Sequence, residues 1–88
     1  MGIDATTEQI LRRLQRSIAG HILVDPERFV LDSKLSDIGV DSFSLVELVF
    51  LAEEEFAIKI PFDGLVVNTV RDVVDVIHRE IVQASPLN

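Results

Sequence analysis

Apolar residues recur at helical spacing in three separate segments of this chain, and this periodicity decides the class of fold. The first and last stripes consist of Ile10, Leu11, Leu14, Ile18 and Ile22, and of Val70, Val73, Val74, Ile77 and Ile81. The middle stripe lies between Ser42 and Phe56. Each stripe needs another apolar surface to cover it, so the helices must pack against one another. The pattern predicts an all-α fold, a small bundle of three main helices plus one short helix.

Capping residues set the boundaries of the first two helices. Thr6 and Gln9 fit a capping box, so the first helix should begin at residue 6 or 7. Asp41 can accept hydrogen bonds from the first turn of the second helix, which should run from about Ser42 to Phe56. Pro61 prevents that helix from extending much further.

Two connections complete the predicted bundle. A long segment from about Asp25 to Val40 follows the first helix, and isolated apolar residues should pin it to the core: Phe29, Val30, Leu31, Leu35 and Ile38. The segment from Asp63 to Asn68 should form a short helix or a turn. Thr69 and Asp72 form a second capping box, which opens the last helix.

The negative charge of the chain is concentrated around its middle helix. Residues 35–58 hold six acids and no base, in a chain whose formal net charge is −7. Such a field repels nucleic acid and anionic lipid, and it attracts basic protein surfaces. The charge therefore favours protein partners with basic patches and argues against nucleic acid. The alternative is a solvated helix face that only confers solubility.

The middle helix also has an unusual outward face. With a turn of about 100° per residue, one side carries Leu45, Leu48, Val49, Ala52 and Phe56, which should face the core. The opposite side carries Phe43, Glu47, Phe50 and Glu54, with Leu51 at its flank. Aromatic side chains beside charges are typical of a protein-contact surface. We predict partner contact for Phe43, whereas Phe50 could equally be covered by the third, short helical segment or by the long connection.

Ser42 is the best candidate for chemistry in this chain. Its hydroxyl lies at the positive end of a helix, which suits a bound or covalently attached phosphate; the alternative is an ordinary first-turn serine. A nucleophile would need a base and an orienting group, and neither His21 nor His78 lies in a catalytic motif. We expect His21 to cap the end of the first helix and His78 to be solvated. Enzyme activity in isolation is therefore not expected, and no metal site is predicted.

The motifs around Ser42 together resemble those of a known family. They are Asp41-Ser42 with Gly39 two residues ahead, Val46-Glu47-Leu48-Val49, Glu53-Glu54-Glu55-Phe56, Ile60-Pro61 and Thr69-Val70. From about residue 6 to residue 82, the chain resembles an acyl carrier protein. An Asp-Ser pair alone would be a weak signal, whereas the pair in register with the other motifs is specific.

This resemblance implies a cofactor and a set of roles. Ser42 would carry 4′-phosphopantetheine, transferred from coenzyme A by a phosphopantetheinyl transferase. The thiol of that arm would hold acyl groups as thioesters for acyl-transferring or condensing enzymes. Docking on basic patches of those enzymes would involve Asp41, Phe43, Glu47, Phe50, Glu53 and Glu54. An acyl pocket between the inner faces of the helices would involve Leu45, Val49, Ala52, Ile60 and Val73.

Some positions depart from the usual pattern of the family. Phe43 stands in place of Leu, Ser44 of an acid, Phe50 of Met, and Ala52 of a core-facing Leu. These differences favour a specialised carrier with a more apolar docking face. The acyl type of motif before Ser42 favours fatty-acyl or polyketide cargo. The alternatives are a peptidyl carrier, and an unmodified helical module that binds a protein or an apolar ligand.

Composition indicates the setting in which the chain works. It has no cysteine, so a reducing cytoplasmic setting is expected. Its N-terminus is polar and its apolar runs are short, so we expect neither a signal peptide nor a membrane span. We expect one freestanding carrier domain over residues 1–88, a monomer whose polar ends, outside residues 6–82, are flexible.

Overall fold

The computed structural model describes residues 6–21 and 24–84, and these form a bundle of three α-helices. The helices are α1 (Thr7–Ile18), α2 (Ser42–Phe56) and α3 (Val70–Ala84). Two short 3₁₀ turns, Pro26–Arg28 and Ser36–Ile38, lie between α1 and α2. No strand is present among the described residues, so the predicted all-α fold is confirmed. The short helical elements lie in the long connection, however, and not near residues 63–68.

Both predicted capping boxes are present. The Thr6 hydroxyl accepts a hydrogen bond from the Gln9 N–H at 3.2 Å, and the Gln9 side chain accepts one from the Thr6 N–H at 3.3 Å. At α3, the Thr69 hydroxyl accepts from the Asp72 N–H at 3.1 Å, and Asp72 Oδ2 accepts from the Thr69 N–H at 3.1 Å. These local signals therefore position both helix starts correctly. Ile22, predicted on the first apolar stripe, lies outside the described residues.

The three helices share a single apolar core. Buried positions of the helices are Ile10, Leu14 and Ile18 of α1, Leu48, Val49 and Ala52 of α2, and Val70, Val73, Val74 and Ile77 of α3. Leu45 and Phe56, also predicted to face inward, are half-buried and pack against this core. The burial of β-branched side chains offsets the weak helix propensity of α3.

The long connection is pinned to the core at most of its predicted positions. Phe29, Leu35 and Ile38 are buried, and Leu31 is half-buried. The prediction is wrong for Val30, which is 43% exposed. Its neighbour Phe29 fills the core position, and a tight turn from the Val30 N–H to the Arg28 carbonyl (3.0 Å) leaves the Val30 side chain outside.

The segment after α2 consists of turns. Helix α2 ends at Phe56, because Ala57 adopts the left-handed conformation with φ 55°. A second turn follows, in which the Leu65 N–H donates to the Phe62 carbonyl at 2.9 Å and Gly64 has φ 75°. A positive φ at this turn position favours glycine, which has no Cβ. Of the two options for residues 63–68, the turn is therefore the one observed.

None of the described helices combines the length and the apolar character that crossing a membrane requires.

Candidate functional site

Ser42 is the first residue of α2, and its side chain is exposed. The segment before it is held in place by burial of Ile38 and Val40, and the Val40 N–H donates to the Leu35 carbonyl at 2.9 Å. Between them, Gly39 has φ 87°, a left-handed conformation that reverses the chain after a 3₁₀ turn. The burial of Ile38 and Val40 thus positions the segment that leads to an exposed hydroxyl at the start of α2.

Asp41 is the N-cap of α2, as predicted. Its backbone is extended, and Oδ1 accepts a hydrogen bond from the Ser44 N–H at 2.8 Å. This hydrogen bond lowers the pKa of the Asp41 carboxyl below its ordinary value of 3.8. The carboxylate is therefore ionised at neutral pH, directly beside the Ser42 hydroxyl.

The phenylalanines on the outward face of α2 are both exposed. Phe43 is 72% exposed and Phe50 58%, so neither the segment after α2 nor the long connection buries them. Phe50 meets the edge of Phe62, with ring centroids 6.4 Å apart and planes at 78°. Sequence reasoning missed Phe62; its only signal was an apolar side chain directly after Pro61. The outward face therefore continues from α2 onto the following loop.

The predicted acidic docking residues differ in their surroundings. Asp41 and Glu54 are exposed, and Glu47 is half-buried. Glu53 is also half-buried, and its Oε2 accepts a hydrogen bond from the Ile60 N–H at 2.7 Å. Its carboxylate therefore fixes the loop after α2, a role that the sequence did not suggest.

Glu55, the last of the three consecutive glutamates, ties α2 to α1. Arg13 Nε donates to Glu55 Oε2 at 3.0 Å, and the Ser17 hydroxyl donates to Oε1 at 3.0 Å. The Arg13 guanidinium also lies 4.6 Å from the centroid of the Phe56 ring. Hydrogen bonding from Arg13, followed by that from Ser17, lowers the pKa of the Glu55 carboxyl below its ordinary value. This contact was not predicted.

The residues predicted for an acyl pocket lie in one apolar cluster. Val49, Ala52, Ile60 and Val73 are buried members of it, and the half-buried Leu45 packs against them. Ala52 is fully buried, where a larger side chain would occupy more of the interior. The five positions thus all belong to, or pack against, the core that α2 shares with the rest of the bundle.

The two histidines are placed as predicted. His21 Nδ1 donates to the Ser17 carbonyl at 2.9 Å, at the end of α1, and His78 is exposed on α3. Within residues 6–21 and 24–84, no group of three His, Asp or Glu side chains is arranged to hold a metal ion.

Comparisons with known proteins agree with this geometry. Residues 12–77 match the family model described as a phosphopantetheine attachment site. The chain is similar to the acyl carrier protein of Zymomonas mobilis, with 37% identity over 67 residues that cover 74% of this chain and 86% of the relative. It is also similar to that of Thermosynechococcus vestitus, with 35% identity over 75 residues, or 83% and 93% of the two chains.

A third relative is the acyl carrier protein of Phenylobacterium zucineum, with 36% identity over 74 residues, which cover 82% of this chain and 94% of the relative. These matches extend over most of each protein and include the helix that begins at Ser42. The chain therefore belongs to the acyl carrier protein family, and its cofactor is a covalently attached 4′-phosphopantetheine.

Proposed function

We propose that Ser42 is the attachment residue and that the chain works as a carrier rather than a catalyst, presenting acyl groups to partner enzymes. The observation that carries this proposal is the exposed Ser42 hydroxyl at the first position of α2. When bound, the arm supplies a thiol that holds an acyl group as a thioester. Residues 6–82 form the carrier domain in this proposal.

The residues around Ser42 fit such a group. Asp41, Ser42 and Phe43 are all exposed, so a bulky substituent on the hydroxyl displaces no core side chain. In the attachment reaction, the Ser42 oxygen would bond to the pantetheine-side phosphorus of the coenzyme A pyrophosphate. The P–O bond to the nucleotide would break, 3′,5′-adenosine bisphosphate would leave, and the hydroxyl proton would pass to the transferase or to solvent. The N-terminal end of the 15-residue helix α2 stabilises the negative charge of that phosphodiester.

The outward face of α2 serves as the docking surface in this proposal. Asp41, Glu47 and Glu54 attract basic patches on acyl-transferring or condensing enzymes and on the phosphopantetheinyl transferase. Phe43 and Phe50 add apolar contact area next to these charges. Glu53 contributes charge to this surface, but its hydrogen bond to the Ile60 N–H limits how far its carboxylate can turn toward a partner.

We place the acyl tail in the apolar cluster formed by Leu45, Val49, Ala52, Ile60 and Val73. These side chains are packed together, so the tail enters only if α2 moves slightly away from its neighbours. Burial in this cluster keeps water away from the thioester and favours the apolar chain. The cargo class in this proposal is fatty-acyl or polyketide.

Intact-mass measurement tests the attachment residue. The purified chain is incubated with coenzyme A and a phosphopantetheinyl transferase, and we expect one added phosphopantetheine per molecule. Ser42→Ala should take up none, whereas Ser44→Ala, a matched serine two residues further on, should still be modified. No addition to the native chain would favour the unmodified binding module. Equal addition to Ser42→Ala would show that the arm is attached elsewhere.

A second experiment tests the specialised docking face. The double variant Phe43→Leu, Phe50→Met restores the residues usual in the family, and we expect it to raise acyl transfer by housekeeping fatty-acid synthase enzymes. Val82→Leu, a substitution at an exposed apolar residue of α3, is the control and should leave transfer unchanged. No gain in the double variant would count against specialisation.

A further inference from the structure

Three aspartates of this chain come directly before a serine or a glycine. They are Asp32 before Ser33, Asp41 before Ser42, and Asp63 before Gly64. In such a pair, the backbone nitrogen of the second residue can attack the carboxyl carbon of the aspartate side chain and close a five-membered succinimide ring. An intramolecular reaction of this kind depends on how its groups are positioned. The fold therefore decides which of the three pairs reacts, by occupying the carboxylate and the N–H or leaving them free.

In the first pair, the fold occupies both reacting groups. Asp32 Oδ1 accepts a hydrogen bond from Arg71 Nη2 at 3.2 Å. The Ser33 N–H donates to the Val30 carbonyl at 2.9 Å. Ring closure at Asp32 would break both contacts, so we expect it to be slow.

In the second pair, the fold occupies the carboxylate. Asp41 Oδ1 accepts a hydrogen bond from the Ser44 N–H at 2.8 Å, which holds the side chain in place as the N-cap of α2. Ring closure onto the Ser42 nitrogen would remove this cap and the stabilisation that it gives to the helix. We therefore expect this pair to be protected as well.

The third pair lacks both kinds of protection. Among the residues that the structure describes, the Asp63 carboxylate has no hydrogen bond or ion pair, and the Gly64 N–H has no acceptor. Both residues are exposed, in the turn that the Leu65 N–H closes by donating to the Phe62 carbonyl at 2.9 Å. Gly64 has no Cβ to shield its nitrogen. Both reacting groups are thus accessible to each other and to water.

Space for the ring is available beside this turn. A cleft of about 160 Å³ lies between the turn and α3, and its lining includes Asp63, Gly64, Val76 and Arg79. A Cβ built at Gly64 would meet no atom within 4 Å outside its chain neighbours. Ring closure at Asp63 therefore displaces no side chain of the core.

We propose that Asp63 is a site of spontaneous covalent modification, at which a succinimide forms and then opens to isoaspartate. In the first step, the Gly64 nitrogen bonds to the carboxyl carbon of the protonated Asp63 side chain. The OH group of that carboxyl leaves with the N–H proton as water. In the second step, water adds its OH to the former backbone carbonyl carbon of Asp63. The bond from that carbon to the Gly64 nitrogen breaks, and the main chain then runs through the former side chain.

Isoaspartate changes the turn without changing the net charge. It adds one methylene group to the main chain between Phe62 and Leu65, so the hydrogen bond between these two residues cannot keep its geometry. The Phe62 ring meets Phe50 with centroids 6.4 Å apart, and the half-buried Leu65 packs against the core. We therefore expect the modified form to lose the contact between Phe50 and Phe62. This inference does not depend on attachment at Ser42.

The test follows isoaspartate in the full-length chain, bearing its phosphopantetheine arm, during prolonged incubation at neutral pH. Isoaspartyl methyltransferase and labelled S-adenosylmethionine report the new carboxylate, and fragmentation mass spectrometry locates it. We expect methyl incorporation at Asp63, preceded by a species that is one water lighter. Asp63→Glu would need a larger ring and should lose this incorporation. Asp32→Glu, a matched change at a protected pair, should keep it.

A synthetic peptide with the sequence of residues 60–67 is the unfolded reference. Absence of incorporation into the folded chain would overturn the proposal, and incorporation into the peptide alone would identify protection by the turn as the reason. Incorporation mainly at Asp32 or Asp41, or equal incorporation into Asp63→Glu, would also overturn it. In the separated isoaspartate form, unchanged NMR signals of Phe50 and Leu65 would contradict the expected change in the turn.

Discussion

The starts of α2 and α3 use similar capping chemistry in opposite surroundings. Asp41 caps α2 and Thr69 caps α3, each through a side-chain oxygen that accepts a backbone N–H. At α2, the first residue, Ser42, is exposed, whereas at α3 the first residue, Val70, is fully buried. The start of α2 is therefore open to solvent, and that of α3 is closed.

Backbone pairing with the long connection closes the start of α3. The Val70 N–H donates to the Ser33 carbonyl at 3.0 Å, and the Arg71 N–H donates to the Leu31 carbonyl at 3.0 Å. These N–H groups are already satisfied, so they are not available to an anion. A helix N-terminus becomes a site for a phosphate only where such groups and the neighbouring side chain remain accessible. This difference separates Ser42 from the start of α3.

The largest expected difference in stability is between the first residues of the two helices. Val70→Ala leaves a cavity in the core and should lower the free energy of unfolding by about 2–3 kcal/mol. Ser42→Ala changes an exposed side chain and should alter it by less than about 0.5 kcal/mol. Urea denaturation followed by circular dichroism measures both. Similar losses for the two variants would show that the start of α2 is not structurally open.

A smaller effect on stability is expected at Thr69, the capping residue of α3. Thr69→Ala removes the hydroxyl that accepts the Asp72 N–H and should destabilise the chain by about 1 kcal/mol. Thr69→Ser keeps the hydroxyl and is the matched control. If both variants lose the same stability in urea denaturation, the methyl group of Thr69 is responsible and not the cap.

The smallest expected effect is on how the stability of the fold depends on pH in the acidic range. Hydrogen bonds from the N–H groups of Asn68 and Thr69 lower the pKa of the Asp72 carboxyl below its ordinary value of 3.8. The folded state thus binds fewer protons than the unfolded state, so this stabilisation is present above the ordinary pKa and is lost as the pH falls through the folded one. Asp72→Asn should therefore flatten the decline of stability below about pH 4.

The same pH dependence is expected at the start of α2, because the pKa of the Asp41 carboxyl is also lowered. Asp41→Asn should also flatten the decline of stability at acidic pH. The double variant Asp41→Asn, Asp72→Asn should keep only the part of that decline that arises from other groups with a lowered pKa, such as Glu55. Thermal denaturation between neutral and acidic pH measures the slopes. Curves parallel to that of the native chain would contradict a linkage to these two caps.

Local signals were sufficient to predict the bundle and to single out Ser42 at the start of α2. Three such signals are the apolar periodicity, the capping boxes and the Asp41 cap. Each depends on residues only a few positions apart, so each can be interpreted without knowledge of the tertiary structure. The resemblance of the motifs around Asp41-Ser42 to those of the family added the prediction of the cofactor. The predicted bounds of α2, about Ser42 to Phe56, match the observed helix. What the sequence did not indicate is that the left-handed conformation of Ala57 ends it.

The roles of Glu53, Glu54 and Glu55 depended on tertiary structure. They are identical in chemistry and consecutive in sequence, but a helix turns by about 100° per residue and directs them to three different places. Glu53 accepts a hydrogen bond from the Ile60 N–H, Glu54 is exposed to solvent, and Glu55 contacts Arg13, which is 42 residues away in sequence. Local sequence patterns were enough to predict the helices and to single out Ser42. Only the packing of distant segments shows which glutamates are bonded within the fold and which remain exposed, because their partners lie far away along the chain.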